Sequence, residues 1–301
     1  MSNSTHPFVF KRKRYSLQLR SGTLTLGERT VIMAVLNVTP DSFSDGGEFF
    51  GPRAAVKQAL AMQAAGADLI DIGAESTRPG SRATPAEEEL RRLLPVLRAL
   101  RGKLKIPISV DTRKAAVAEA ALRAGAQIIN DVSGLRHDPA LAQVSAKFKA
   151  PLILMHMRGE PETMQKTAFA RQVVTDVRSG LHKSIETARK AGVGKTQIIL
   201  DPGIGFGKSF AQNYELLRNL PQLATLGYPL LVGTSRKGFL GQTLARRGKP
   251  APPEERIWGT AATVAASILG GVHIVRVHDV EEMAQVAKVA DAVLDAGSAP
   301  D

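Results

Sequence analysis

Residues 106–131 read IPISVDTRKAAVAEAALRAGAQIIND and contain one complete repeat of the fold. The apolar run 106–110 predicts a buried strand, the alanine-rich stretch after it predicts a helix, and 127–129 predicts the next strand. Each strand is followed by a polar side chain, Asp111 after the first and Asn130 after the second. The stretch therefore predicts two parallel strands that are joined by a helix.

The same alternation of apolar runs and alanine-rich stretches extends along the chain. Eight strands are predicted, at 31–36, 68–72, 106–110, 127–129, 152–155, 197–200, 229–232 and 273–277. Several of these runs are continuously apolar, as are the strands of parallel sheets that helices cover. An open doubly wound sheet would carry a glycine-rich fingerprint after its first strand, whereas this chain reads NVTPD at 37–41. We therefore predict the α/β class and a closed (β/α)8 TIM barrel.

Residues 15–30 differ in character from the rest of the chain. Apolar and polar residues alternate on both sides of Ser21-Gly22, which predicts a β-hairpin. A hairpin before the first barrel strand could plug the bottom of the barrel. We expect an N-terminal extension and hairpin at 1–30, packed on a single catalytic domain at 31–301.

Composition narrows the possible functions. No cysteine occurs among the 301 residues, which excludes disulfide frameworks and thiol nucleophiles and fits a cytoplasmic protein. The net charge of +12 would suit a polyanion, but the basic residues are spread along the chain, with 11–14 as the one run. Aromatic residues, at 5%, do not interleave with them, and no stretch approaches the ~20 apolar residues of a membrane span. We expect neither a nucleic-acid nor a membrane partner.

Polar residues follow every predicted strand at its C-terminal end. They are Asn37, Asp71, Asp111, Asn130, His156, Asp201, Ser235 and His278. Because the carboxyl ends of barrel strands meet at one rim, where barrel enzymes carry their active sites, we predict an active site there. The carboxylates and amides of this predicted site suit the N–H groups of an amino-heterocycle, and the basic side chains of the site suit a diphosphate. The residues alone therefore predict transfer chemistry on a phosphorylated small molecule.

Four motifs of other enzyme classes are not matched by this sequence. The glycine-rich stretch 202–209 has proline where a Walker loop needs its first glycine and lysine where a dinucleotide fingerprint needs its last. The histidines lack H-E-x-x-H spacing, and 233–237 lacks the second glycine of a nucleophile elbow. ATPase, dehydrogenase, metalloprotease and serine hydrolase functions are therefore disfavoured.

Taken together, the rim motifs closely resemble those of the dihydropteroate synthases, pterin-binding enzymes of folate biosynthesis. The motifs are NVTPDSFSDGG at 37–47, DIGAESTRPG at 71–80, SVDT at 109–112, IND at 129–131, DPGIGFGK at 201–208, SRK at 235–237 and RVHD at 276–279. The resemblance implies a transferase that condenses 6-hydroxymethyl-7,8-dihydropterin diphosphate with 4-aminobenzoate and releases pyrophosphate, by a dissociative course. It also implies Mg2+ as cofactor and a homodimer.

The resemblance further implies a role for individual residues. The pterin would lie against Asp111, Asn130, Asp201 and Lys237, with Met155 and Phe206 as apolar walls. The diphosphate would lie against Asn37, Thr77, Arg276 and His278. The 4-aminobenzoate would lie against Phe43, Thr77, Arg78, Pro79 and Ser235. Asn37 would hold the metal, and Lys237, Arg276, His278 and Asp111 would be the catalytic residues. The loops 39–47 and 74–80 would be the mobile lids of the site.

One departure and several alternatives remain open at this stage. Ala74 stands where the family commonly has glycine, and alanine restricts positive φ angles. Met155 and Phe206 could be ordinary core residues, and Arg276 could belong to an ion pair at the barrel floor. A pterin-binding methyltransferase or a non-catalytic paralogue would share the barrel, but neither needs both the diphosphate residues and the lid motifs.

Overall fold

An antiparallel hairpin opens the part of the chain that the structure describes. The structure is a computed structural model, and it describes residues 12–39, 52–77, 80–81, 83–160, 162–164 and 169–296. Strands β1 (Tyr15–Leu19) and β2 (Gly22–Leu26) pair so that Leu19 faces Gly22. The predicted hairpin is confirmed, with Arg20 and Ser21 as its two-residue turn, one residue earlier than expected.

Eight parallel strands form the barrel, which confirms the predicted fold. They are β3 (Val31–Asn37), β4 (Leu69–Gly73), β5 (Ile108–Asp111), β6 (Ile128–Asp131), β7 (Leu152–Met155), β8 (Ile198–Asp201), β9 (Leu231–Val232) and β10 (Ile274–Val277). Their spatial order is β8-β7-β6-β5-β4-β3-β10-β9. The ring closes where Leu200 bridges to Leu230 and the Leu200 amide donates to the Pro229 carbonyl, 2.9 Å away. Each strand lies where its apolar run predicts it.

Helices surround the strands. They are α1 (Pro52–Ala64), α2 (Ala86–Leu100), α3 (Ala115–Ala124), α4 (Ala140–Phe148), α5 (Val173–Lys190), α6 (Phe210–Arg218), α7 (Leu220–Ala224), α8 (Gly238–Thr243), α9 (Ile257–Leu269) and α10 (Val280–Asp295). Two short 3-10 helices lie at Lys195–Gln197 and Pro253–Arg256. A search of the described residues finds no helix with the length and apolar character to cross a membrane. The main apolar core fills the layer between these helices and the strands.

A separate apolar cluster closes one end of the barrel. Leu17 and Leu26 of the hairpin are fully buried there against the first inward-facing residues of the barrel strands. Those residues are Val31, Met33, Leu69, Ile128, Ile153, Ile199, Leu231 and Ile274. The hairpin thus plugs the N-terminal end of the barrel, and the C-terminal end is left for the polar residues.

Candidate active site

The C-terminal end of the barrel holds buried polar side chains that the strand register brings together. Asp71 lies in β4, Asp111 ends β5, Asn130 lies in β6 and Asp201 ends β8. All four are buried, and Asp71 is completely so. Parallel pairing sets Asp111 beside Asn130. Because buried carboxylates are stable only when hydrogen-bonded or paired with charge, their partners define the site.

Arg276 of β10 is the cation of this group. Its Nε donates to Asp71 Oδ2 at 2.7 Å, and its Nη2 donates to Asp111 Oδ2 at 3.0 Å. The ion pair raised as an alternative for Arg276 therefore exists, but it lies at the C-terminal end of the barrel and not at the floor. The Arg276 side chain keeps 22% of its surface exposed, so part of it remains accessible from the rim.

Asp71 connects the cation to the amide. Its Oδ2 accepts a hydrogen bond from Asn130 Nδ2 at 2.9 Å as well as the one from Arg276. This contact commits the amino side of the Asn130 amide to Asp71 and turns Oδ1 into the atom that can accept from a ligand. Asp71 Oδ1 is buried and has no hydrogen-bond partner among the described residues. Sequence reasoning placed Asp71 on the rim but gave it no role.

Burial dominates the electrostatics of the two remaining carboxylates. Burial raises the pKa of Asp111 to about 8, against the opposing charge of Arg276. Burial also raises the pKa of Asp201, while Lys237 and the hydrogen bond that Asp201 Oδ1 accepts from the Gly203 amide, 2.7 Å long, lower it. Both carboxyl groups would gain from N–H donors of a bound ligand.

Lys237 reaches the same space from the loop after β9. Its Nζ donates to the Ile204 carbonyl and lies 4.5 Å from the centroid of the Phe206 ring. Burial lowers the pKa of Lys237 to about 8, although the charge of Asp201 raises it. Gly205, at φ +85°, makes room for the lysine, since a Cβ there would lie 2.8 Å from Lys237 Cδ. The structure thus brings Lys237, Asp201 and Phe206 together.

Lys208 is a functional candidate that sequence reasoning missed. Its ammonium is buried and donates to the carbonyls of His156, Gly203 and Phe206, at 3.2, 2.8 and 3.0 Å. Burial lowers its pKa to about 7. Three carbonyl acceptors shape the loop 202–208 so that Phe206 faces Lys237. The signal available in the sequence was a lysine at the end of a glycine-rich loop, where buried carbonyls need a donor.

Ser235 and His278 form a second polar pair at the rim. The Ser235 hydroxyl lies 2.9 Å from His278 Nδ1 and accepts from the His278 amide at 3.1 Å. The pair therefore joins the loop after β9 to the residue that follows β10. Thr77 is half-buried in the loop after β4.

Asn37 offers an oxygen ligand at the end of β3. A Cβ on Gly73, the neighbour of Asn37 in β4, would lie 3.8 Å from Asn37 Oδ1 and 3.7 Å from Asp111 Oδ2. Glycine thus leaves a cradle between two oxygens, which fits a hard cation that takes most of its ligands from phosphate and water. The described residues contain no cluster of three or more acidic, histidine or cysteine side chains arranged for a metal.

Apolar side chains flank the polar group. Met155 is buried in a cluster with Val132, Met157 and Met164, and Phe206 packs against that cluster. Met155 is therefore a core residue, and Phe206 is half-buried and borders the polar space through its contact with Lys237. Phe43, Arg78 and Pro79 lie outside the described residues, as do most of the loop 39–47 and part of the loop 74–80.

Comparisons with known proteins identify the relatives of this chain. The family model of the pterin-binding enzymes matches residues 33–278. The chain is 52% identical over 267 residues to the dihydropteroate synthase of Synechocystis sp., covering 89% of this chain and 91% of the relative. Among solved structures, it is similar to the dihydropteroate synthase of Clostridium difficile in the presence of pteroic acid, with a TM-score of 0.82, 47% identity and coverage of 89% and 98%. It is also similar to that of Xanthomonas albilineans with 4-aminobenzoic acid, with a TM-score of 0.86, 41% identity and coverage of 96% and 100%. The chain belongs to the pterin-binding enzyme family and, within it, to the dihydropteroate synthases.

Proposed function

We propose that this chain is a transferase that condenses 6-hydroxymethyl-7,8-dihydropterin diphosphate with 4-aminobenzoate to form 7,8-dihydropteroate and pyrophosphate. The observation that carries the proposal is the convergence of Asp111, Asn130 and Asp201 with two cations, Lys237 and Arg276, at one end of the barrel. Relatives solved with pteroic acid and with 4-aminobenzoic acid support the same substrates.

The pterin is held by acceptors on one edge and a donor on the other. The amino and imide N–H groups of the ring donate to Asp201 and to Asn130 Oδ1, with Asp111 as a further acceptor. Lys237 donates to the ring carbonyl and N5. A buried carboxylate that gains such donors is relieved of part of its desolvation penalty, so binding energy is concentrated on this edge. Met155 and Phe206 contact the flat faces and exclude water.

The diphosphate lies on the cationic side of the site. Arg276 and His278, with Thr77 beside them, neutralise the charge that grows on the departing oxygens, an effect that is largest in a dry, preorganised site. Asn37 Oδ1 would hold Mg2+, which when bound supplies further neutralisation of the diphosphate. Asp71 and Asp111 fix the guanidinium of Arg276 from behind.

The reaction is a substitution at the methylene carbon of the pterin. The C–O bond breaks and its electron pair leaves with the diphosphate, which gives a cation delocalised over the pterin ring. The amine nitrogen of 4-aminobenzoate then forms the new C–N bond and loses a proton. For 4-aminobenzoate we propose contacts to Ser235 and Thr77 and, outside the described residues, to Phe43, Arg78 and Pro79.

Pyrophosphate release tests the function directly. The purified protein is given the dihydropterin diphosphate and Mg2+, with and without 4-aminobenzoate. We expect dihydropteroate to form and pyrophosphate release to depend on 4-aminobenzoate. Binding of the pterin without product would favour the paralogue or the methyltransferase, and binding of methyltetrahydrofolate would then separate those two. Chelation of Mg2+ by EDTA should reduce turnover, and unchanged turnover would remove the metal from the proposal.

The assembly and the location of the protein stay predictions. We propose a homodimer, because Trp258, Val289 and Val293 are exposed on the neighbouring helices α9 and α10 and exposed apolar patches mark interaction sites. Light scattering of wild type and Val293→Glu tests this assembly. We also propose a cytoplasmic location and a division of the chain into the extension 1–30 and the catalytic domain 31–301. Cell fractionation tests the location, and limited proteolysis tests the boundary.

A further inference from the structure

We propose that Arg113 is a positioning residue that holds the loop after β4, and Thr77 with it, in place for 4-aminobenzoate. The inference rests on the proposed function, and it concerns a side chain that the mechanism above does not use. Arg113 lies between β5 and α3, where its side chain is 5% exposed.

Arg113 joins two rim loops that lie far apart in the sequence. Its Nη2 donates to Glu75 Oε1 at 3.1 Å, in the loop after β4, and its Nη1 donates to Glu160 Oε2 at 3.0 Å, in the loop after β7. The planar guanidinium presents both pairs of N–H groups in a fixed geometry, which a lysine could not reproduce. One side chain from the β5 loop therefore ties three loops of the rim together.

Glu75 is the point at which the loop after β4 is held. Its Oε1 also accepts from the Thr84 amide at 2.9 Å, so one carboxylate at the start of the loop binds the backbone at its end. Its Oε2 accepts from Lys114 Nζ at 2.8 Å, and Lys114 also contacts the buried Glu89 at 2.7 Å. Thr77 follows Glu75 by two residues, so its position depends on how firmly this carboxylate is held.

The two arms of Arg113 differ in burial and therefore in strength. The side chain of Glu75 is 3% exposed and that of Glu160 is 49% exposed. A pair that is exposed to water contributes little, whereas a buried pair holds its members in a fixed geometry. Without Arg113, Glu75 would keep Lys114 and the Thr84 amide as partners but would be held at fewer points. Arg113 thus acts on the loop after β4 mainly through Glu75, and Glu160 supplies a natural control.

The test is steady-state kinetics on the full-length protein with Arg113→Met and the matched control Glu160→Gln. For Arg113→Met we expect the KM for 4-aminobenzoate to rise about tenfold, because small displacements of positioning groups have effects of that order or larger. The KM for the dihydropterin diphosphate should stay within about twofold, since the hydrogen bonds of the Arg113 side chain go to Glu75 and Glu160 and neither is proposed to hold the pterin. Glu160→Gln should change either KM by less than about twofold.

Several outcomes would overturn the inference. An unchanged KM for 4-aminobenzoate in Arg113→Met, an equal rise of both KM values, or an effect of Glu160→Gln as large as that of Arg113→Met would each do so. If Arg113→Met does not fold, the double variant Glu75→Gln/Arg113→Met removes both charges of the buried pair, and we expect the same tenfold rise there. Wild type that forms no dihydropteroate would refute the proposed function instead, so the two failures are distinguishable.

Discussion

The two ends of the barrel are built by the same strands and have opposite chemistry. The N-terminal end is filled by aliphatic side chains under the hairpin, and the C-terminal end by carboxylates, an amide and a guanidinium. Four strands place one residue at each end, two positions apart on the inward face: Leu69 and Asp71, Ile128 and Asn130, Ile199 and Asp201, Ile274 and Arg276. Residues two apart on a strand share a face.

In this barrel, residues that stabilise the fold lie next to residues of the proposed active site. On these strands one inward residue belongs to the apolar cluster and the next inward residue belongs to the polar group, so the buried polar side chains lie next to a buried aliphatic layer. We infer that the dense packing of the aliphatic side chains at the N-terminal end helps to fix the positions of the polar side chains at the C-terminal end. Substitutions at the two ends should have separable effects, and the following predictions test that separation.

The largest effect is expected for Arg276→Met at the polar end. Turnover should fall about a thousandfold, because a preorganised cation beside the leaving group is lost. The free energy of unfolding should also fall by about 3–5 kcal/mol, because Asp71 and Asp111 lose their buried counter-ion. Product formation and urea unfolding measure the two effects. Near-normal turnover would remove Arg276 from the mechanism.

Lys237→Met is the matched control for that variant. We expect a comparable loss of turnover but no loss of stability, since burial already lowers the pKa of Lys237 and its charge is not favoured by the fold. A loss of stability equal to that of Arg276→Met would contradict the different roles proposed for the two cations.

At the apolar end, Leu26→Ala should act on stability alone. Leu26 is fully buried in the hairpin plug, so the cavity should lower the free energy of unfolding by about 2–5 kcal/mol. The kcat/KM of the folded protein should change by less than about twofold, because the deleted atoms lie at the opposite end from the chemistry. Urea unfolding measures the loss of stability, and kinetics at low temperature measure kcat/KM. A large change in KM would contradict the proposed separation between the two ends of the barrel.

A smaller effect is expected for Asp201→Asn. The substitution keeps the shape of the side chain but turns one acceptor into a donor, which opposes the N–H groups of the pterin. Pterin affinity should fall about tenfold, the consequence of one mismatched buried hydrogen bond. Isothermal titration with a pterin measures it, and an unchanged Kd would move Asp201 out of the proposed contact.

The smallest effect is a pH dependence. Burial lowers the pKa of Lys237 to about 8, so the ammonium is lost as the pH rises through that value. We expect kcat/KM to decline above pH 8 and Lys237→Arg, if active, to lose this decline, because the guanidinium stays charged.

Stability should respond to the same titration with the opposite sign. The pKa of Lys237 in the folded protein lies below the ordinary lysine value of 10.5, so between about pH 8 and 10.5 the unfolded chain binds a proton that the folded chain does not. The free energy of unfolding should therefore rise with pH in that window, relative to Lys237→Met. If the difference in the free energy of unfolding between wild type and Lys237→Met does not change with pH in that window, the lysine is not buried.

Much of this arrangement is predictable from the sequence, for local reasons. Apolar runs of three to six residues mark the strands, and the polar residue at the end of each run lies on the rim because parallel strands end together. Asp111, Asn130 and Asp201 are found in this way. The hairpin turn is displaced by one residue because alternation alone does not fix which pair closes it.

The remaining features depend on contacts between distant segments. The place of Lys208 at the end of a glycine-rich loop does not by itself show that the lysine is buried, because its three carbonyl partners come from two different loops. The role of Asp71 depends on Asn130 and Arg276, which are 59 and 205 residues away along the chain. Likewise, the arms of Arg113 span 38 and 47 residues.

The short strand β9 has a consequence for motion. It contains two residues, and in the part of the chain that the structure describes the pairing with β8 is one isolated bridge, from Leu230 just before β9 to Leu200. Local opening proceeds first where few hydrogen bonds must break, so this seam is the compliant side of an otherwise rigid ring. Asp201 ends the strand on one side of the seam, and the loop with Lys237 follows the strand on the other. We therefore expect the width of the proposed pterin pocket to be adjustable along this line, between the group proposed to accept from the pterin and the group proposed to donate to it.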